Sequence, residues 1–183
     1  RYELGVETLD AYSSWLAGRP YLVLGADKGA AARSRLDTAH EIAHLVLHRH
    51  VEASRLGTAG YLKEIERQAN LFAGAFLLPG ESFADEFRTV TLDVLLSLKP
   101  KWRVSVGAMI KRAADLNLIT RDQEQRLWIA YRRRWGKREP FDDSLIPEQP
   151  FVLQTAILDL IRAGTISLSE LRVNLPFDPN DIE

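Results

Sequence analysis

The four histidines of the chain, His40, His44, His48 and His50, all lie within eleven residues, and two of them frame the pentapeptide His40-Glu41-Ile42-Ala43-His44. Residues four apart on an α-helix differ by about 40° of rotation and one turn of rise, so both imidazoles leave one face towards a common point. Two neutral imidazoles so placed are half of a tetrahedral zinc site. Glu41 lies about 100° around the helix. From there it is badly placed to ligate the same ion but can reach a water beside it, the general-base position of metallohydrolases. Leu36, Ala39, Ala43 and Leu47 form the apolar stripe of this helix, with the two histidines on its border. A solvated helix carrying these residues incidentally is the alternative, and the half-buried border position argues against it.

The chain has no cysteine, which removes disulfides, thiolate zinc sites, iron–sulfur clusters and cysteine nucleophiles together. A transition-metal site must therefore combine imidazole with carboxylate, and two histidines need a third ligand. The helical run at 61–78 offers Glu64 and Glu66. Measured from Leu62, the positions of Ile65, Ala69, Phe72, Ala73, Phe76 and Leu77 form an apolar stripe that takes in Glu66 and leaves Glu64 on the opposite face. A carboxylate on an apolar stripe is costly unless paired or bound to a metal. Glu66 is the ligand candidate and Glu64 a solvated surface charge. Asn70, one turn on, is either placed to hydrogen-bond a ligand from behind or is an ordinary helix-edge amide. His48 extends the row by another turn, about 5–6 Å, too far to join the same ion; it is a satisfied histidine or a support for a ligand. His50, at the helix end, suits the C-terminal dipole, and either it or Tyr61 is a candidate to reach a developing oxyanion.

With 183 residues, 46% of them apolar, the chain can bury a core as one domain or two small ones. The pattern predicts a short helix at 7–17 stopped by Gly18, a strand at 21–25, a turn at 26–29 and a helix from about Ser34 to His48. A loop at 51–60 leads into the helix at 61–78. Short helices follow at 81–87 and 91–98, the latter ending before Pro100. Ser105 caps the next helix, Asn117 ends it, and Thr120 with Gln123 makes a capping box for another through Arg134. Residues 141–150 hold two prolines and three acids and read as a linker; 151–175 is helical around a break at Gly164. The fold class is mainly α with a small β-sheet, an α+β chain.

The net charge of −1 conceals an uneven distribution: residues 99–138 carry 12 basic and 3 acidic side chains, whereas 139–183 carry 2 basic and 9 acidic. A DNA-backbone role for 99–138 is conceivable. A solvated basic face is favoured, because few base-reading side chains accompany it and Trp102, Met109, Leu116, Trp128 and Trp135 read as core. No run approaches the roughly 20 apolar residues that span a bilayer, and the N-terminus as given lacks the apolar core of a secretion signal. A cytoplasmic protein with no membrane partner is expected. The chain opens at Arg1 rather than Met, which reads as a fragment or processed product.

RSRLDTAHEIAHLVLH at 33–48, followed by EIERQANLFAGAFLLP at 64–79, resembles the ImmA/IrrE family of bacterial metallo-endopeptidases. GRPYLVLGADKGAAARSR at 18–35 is similar to the strand and approach before the family's motif. LKPKWRVSVGAMIKRAADLNLIT at 98–120 is similar to members whose peptidase follows an N-terminal XRE-type helix-turn-helix domain. The resemblance covers about residues 1–140. It departs at Leu36, where phenylalanine is common, and at Ala43, where glycine is. It implies a zincin-like peptidase domain at 1–98, to which charge and helical pattern add a basic helix-turn-helix-like extension at 99–140 and an acidic helical tail at 141–183. It further implies Zn2+ held by His40, His44 and Glu66, Glu41 as catalytic base, and a repressor-like protein substrate from a mobile element or stress response. DNA could be met through an upstream domain or through 99–138, and the strand at 21–25 could align an extended substrate. The alternative is a metal-binding sensor domain of an XRE-type transcription factor, with weak or no proteolysis.

Overall fold

Six residues on either side of Ala17-Gly18 pair in antiparallel register, from Ala11 with Leu24 to Leu16 with Arg19. In the computed structural model, which describes residues 10–25, 31–136, 138–146, 148, 151–167 and 169–171, these strands, β1 (Ala11–Leu16) and β2 (Arg19–Leu24), form a two-stranded sheet. The helix expected at 7–17 is therefore a strand over 11–16; residues 7–9, and the turn expected at 26–29, lie outside the described residues. The spacing of Tyr12, Trp15 and Leu16 imitates a helical face, but Ser13-Ser14 are weak helix formers and the β-rich Tyr21–Leu24 segment supplies a complete partner. Gly18 is not a helix stop: Ala17 and Gly18, at φ 47° and 77°, are the paired positive-φ residues of a type I′ hairpin turn. Ala17→Asn, which tolerates that conformation better, is expected to stabilise the protein by about 0.5–1 kcal/mol. A higher urea midpoint with an unchanged slope checks it.

The helices follow as α1 (Ala31–Leu47), α2 (Ala53–Leu56), α3 (Ala59–Leu77), α4 (Gly80–Glu86), α5 (Leu92–Trp102), α6 (Val106–Asp115), α7 (Arg121–Arg134) and α8 (Phe151–Arg162). The loop expected at 51–60 contains α2 and the start of α3. Ser105 accepts from Ala108 N at 3.1 Å and Thr120 and Gln123 form the reciprocal capping box, while α6 closes through Asn117 at φ 57°. Helix α5 does not end before Pro100 but runs to Trp102, the ring sitting in its last turns. Among the described residues, no helix is long and apolar enough to cross a membrane.

The chain divides into two compact units, Arg1–Pro147 and Glu148–Glu183. In the first, Leu78, Phe83, Leu95, Val104, Val106, Met109, Ile110 and Leu127 form one apolar core, with Trp102, Leu116, Trp128 and Trp135 packed against it. The boundary drawn after residue 98 falls inside this core. Basic residues of 99–138 also serve it: Arg112 Nε donates to Leu78 O at 2.9 Å, and Lys99 is fully buried. Lys99 Nζ reaches Glu139 Oε2 at 2.8 Å and Asp142 Oδ1 at 2.5 Å. The start of the segment read as a linker is thus strapped to the core by an ion triad. In the second unit, α8 is followed by a turn at Gly164 with φ 66°, and Ser167 accepts from Glu170 N.

Candidate metal centre

Helices α1 and α3 meet through alanine. Ala39 and Ala43 on one and Ala69 and Ala73 on the other are each at most 1% exposed, and such small side chains let helix axes approach closely. That approach converges His40 and His44 from α1 with Glu66 from α3. His40 Nε2 lies 3.0 Å from His44 Nε2 and 3.1 Å from Glu66 Oε2, and His44 Nε2 lies 3.5 Å from Glu66 Oε1. Four-coordinate zinc, with bonds of about 2.0–2.1 Å to nitrogen and oxygen, holds its ligands about 3.3 Å apart. The spacing and the two-imidazole, one-carboxylate donor set fit such an ion, and the three residues form a group able to hold a metal. Burial, assisted by the His40 ring, lowers the His44 pKa against the opposing pull of Glu66 and Glu41. The ring is thereby kept in the neutral form that ligates.

Glu66 converges for a different reason from the one its helix pattern suggests. Its side chain is 46% exposed, on an open rim rather than in an apolar core. Two positions of the stripe around it are also open, Leu62 at 41% and Phe76 at 59%, and its buried part is Ile65, Ala69 and Ala73. Asn70 lies where it can serve His40. Its Nδ2 donates to Glu66 O at 2.8 Å, so its Oδ1, 3.3 Å from His40 Nδ1, is left to accept. The His40 proton then sits on Nδ1 and Nε2 is bare towards Glu66.

Glu41 is held from the sheet. Ser13 Oγ donates to Glu41 Oε2 at 2.5 Å, and Trp15 Nε1 donates to Leu45 O at 3.1 Å with the Arg49 guanidinium over its ring. Two strand residues advance about 6.8 Å and four helical residues about 6 Å, so the Ser13–Trp15 face of β1 matches the Glu41–Leu45 face of α1. Ser13 was invisible from sequence because its segment reads as helix; the Ser13/Trp15 alternation was the available signal.

The remaining candidates separate. His48 Nδ1 lies 2.9 Å from His44 Nδ1, on the side away from Glu66, and its Nε2 lies 3.2 Å from Gln68 Oε1. His50 is exposed beyond the end of α1. Tyr61 is half-buried in the first turn of α3, and among the described residues no side-chain hydrogen bond ties it to the cluster. Glu64 is not merely a solvated charge: Arg67 Nε and Nη2 donate to it at 2.8 and 2.6 Å, and Gln68 Nε2 at 2.9 Å. Those hydrogen bonds, chiefly from Arg67, hold its pKa down to about 2. Beside Asn70, a cavity of about 500 Å³ is lined by Leu36, Leu71, Ala108 and Trp128 with Lys111 and Arg112 among its polar walls.

The model of one known family, the IrrE N-terminal-like domain of a peptidase class, matches residues 2–114. That span contains β1, the paired helices α1 and α3, and every residue of the cluster. No curated protein matches the chain.

Proposed function

The chain belongs to the IrrE N-terminal-like peptidase family, and from that premise we propose that it is a zinc-dependent endopeptidase that hydrolyses peptide bonds in a protein partner. The observation carrying this reading is the convergence of His40 Nε2, His44 Nε2 and the two oxygens of the Glu66 carboxylate within 3.0–3.5 Å contacts beside a carboxylate on the adjoining helix face. His40, His44 and Glu66 would hold the ion; when bound, zinc supplies Lewis-acid polarisation of the scissile carbonyl and makes a water acidic near neutral pH. Glu41, oriented by Ser13, takes the proton of the attacking water and returns it to the leaving amine. Because β1 rather than β2 touches Glu41 through Ser13, β1 is the better candidate to align an extended substrate backbone. The cavity beside Asn70 offers an apolar seat for a substrate side chain. A transcriptional repressor as substrate rests on the family resemblance, and the cytoplasm as the place of action rests on the sequence composition.

The test pairs metal content with cleavage. We expect about one zinc per chain, cleavage of a candidate repressor protein, loss of cleavage with a chelator and recovery on adding zinc. Cleavage that persists without metal overturns the mechanism, and stoichiometric zinc without cleavage favours the sensor reading.

A further inference from the structure

Behind His44 runs a chain of hydrogen bonds that ends on the surface of α3. Arg67 and Gln68 both donate to the Glu64 carboxylate, at 2.6–2.9 Å. A carboxylate at that point accepts only, so the Gln68 amide must turn its Nε2 to Glu64 and its Oε1 the other way. Gln68 Oε1 faces His48 Nε2 at 3.2 Å, and an amide oxygen cannot donate. His48 Nε2 must therefore carry hydrogen. In a neutral imidazole the other nitrogen is then an acceptor, and His48 Nδ1 faces His44 Nδ1 at 2.9 Å. His44 Nδ1 must donate, which leaves His44 Nε2 bare towards His40 and Glu66. Each orientation follows from the one before, starting at a group with no hydrogen to give.

We propose that His48, Gln68 and Glu64, with Arg67 behind them, are positioning residues that set the tautomer and ring orientation of His44 for metal binding. The proposal rests on the zinc reading of the cluster. It gives a role to His48, one turn beyond the motif, and to Glu64, whose face of α3 points away from the apolar stripe. Residues that orient a ligating histidine from behind typically change metal affinity by about 10–100-fold when removed. The Asn70–His40 contact does for the first histidine in one step what this chain does for the second in three.

Two measurements on the full chain test it. In the metal-free protein at about pH 8, above the range in which imidazole ordinarily titrates, 15N-edited NMR of the histidine rings is expected to show His44 protonated on Nδ1 and His48 on Nε2. Zinc affinity, read by competition with a chromophoric chelator, is expected to weaken about 10–100-fold in Gln68→Met, with thermal unfolding unchanged. A wild-type His44 protonated on Nε2, or a folded Gln68→Met variant with unaltered zinc affinity and tautomers, overturns the relay. Absence of zinc binding by the wild-type chain would instead overturn the proposed function, and the tautomers of the metal-free protein would still decide the relay.

Discussion

Replacing Glu41 with glutamine is expected to slow peptide hydrolysis by about 10²–10⁴-fold, the usual contribution of a positioned general base, while zinc stays bound. Glutamine keeps the size of the side chain and an oxygen able to accept from Ser13, 2.5 Å from the carboxylate, but it cannot take a proton from water. Glu41 is outside the group of His40, His44 and Glu66 able to hold a metal, so metal content should match wild type. The loss should fall on kcat with KM little changed, because the missing interaction forms only as the proton moves. Ser13→Ala retains the base and loses only its tether, so it should lie between the two. A Glu41→Gln enzyme that retains zinc and full activity would sink the assignment.

The parts of the fold legible in sequence were those decided locally. Ser105, Thr120 and Gln123 carry their caps in their own side chains, and α1 and α3 are long enough for periodicity to speak. The first strand was illegible because its structure is decided at a distance: β1 is extended because β2 pairs with all six residues and α1 receives Ser13 and Trp15. Glu66 was singled out by a helical wheel that counted Leu62 and Phe76, which the folded protein leaves exposed, together with Ala69 and Ala73, which make the close helix approach; the wheel does not say which part of an apolar stripe meets a neighbour, so it put Glu66 in the core rather than on the rim. Glu64 and Gln68 were passed over for a related reason. A polar helix face reads as solvated unless the residue at its far end, here His48, is known to lie opposite.

The acidic segment after Arg138 shows the same limit and has the largest expected consequence for stability. Proline and acids at 141–150 read as a linker, yet Glu139 and Asp142 are 6% and 8% exposed and close on Lys99, which is fully buried. Glu139 also accepts from Val106 N at 2.8 Å, Gly107 N at 3.2 Å and the Tyr131 hydroxyl at 2.8 Å, and Asp142 accepts from Glu139 N at 2.9 Å. Burial and this carboxylate raise the Tyr131 pKa, so the phenol remains a donor. Lys99→Met keeps the bulk of the side chain and removes the only cation of the triad, leaving two carboxylates facing each other in a buried site. Breaking a buried ion pair in this way costs about 3–5 kcal/mol, equivalent to a fall of roughly 10 °C in the thermal midpoint for a chain of this size. Lys99→Met/Asp142→Asn removes the excess negative charge as well, so it should recover part of the loss; further destabilisation would show that packing rather than charge dominates. The triad draws on α5 and the segment after α7, while the zinc-binding candidates sit on α1 and α3. Zinc bound per folded chain should therefore be unchanged in both variants, and an unaltered midpoint in Lys99→Met would refute the strap.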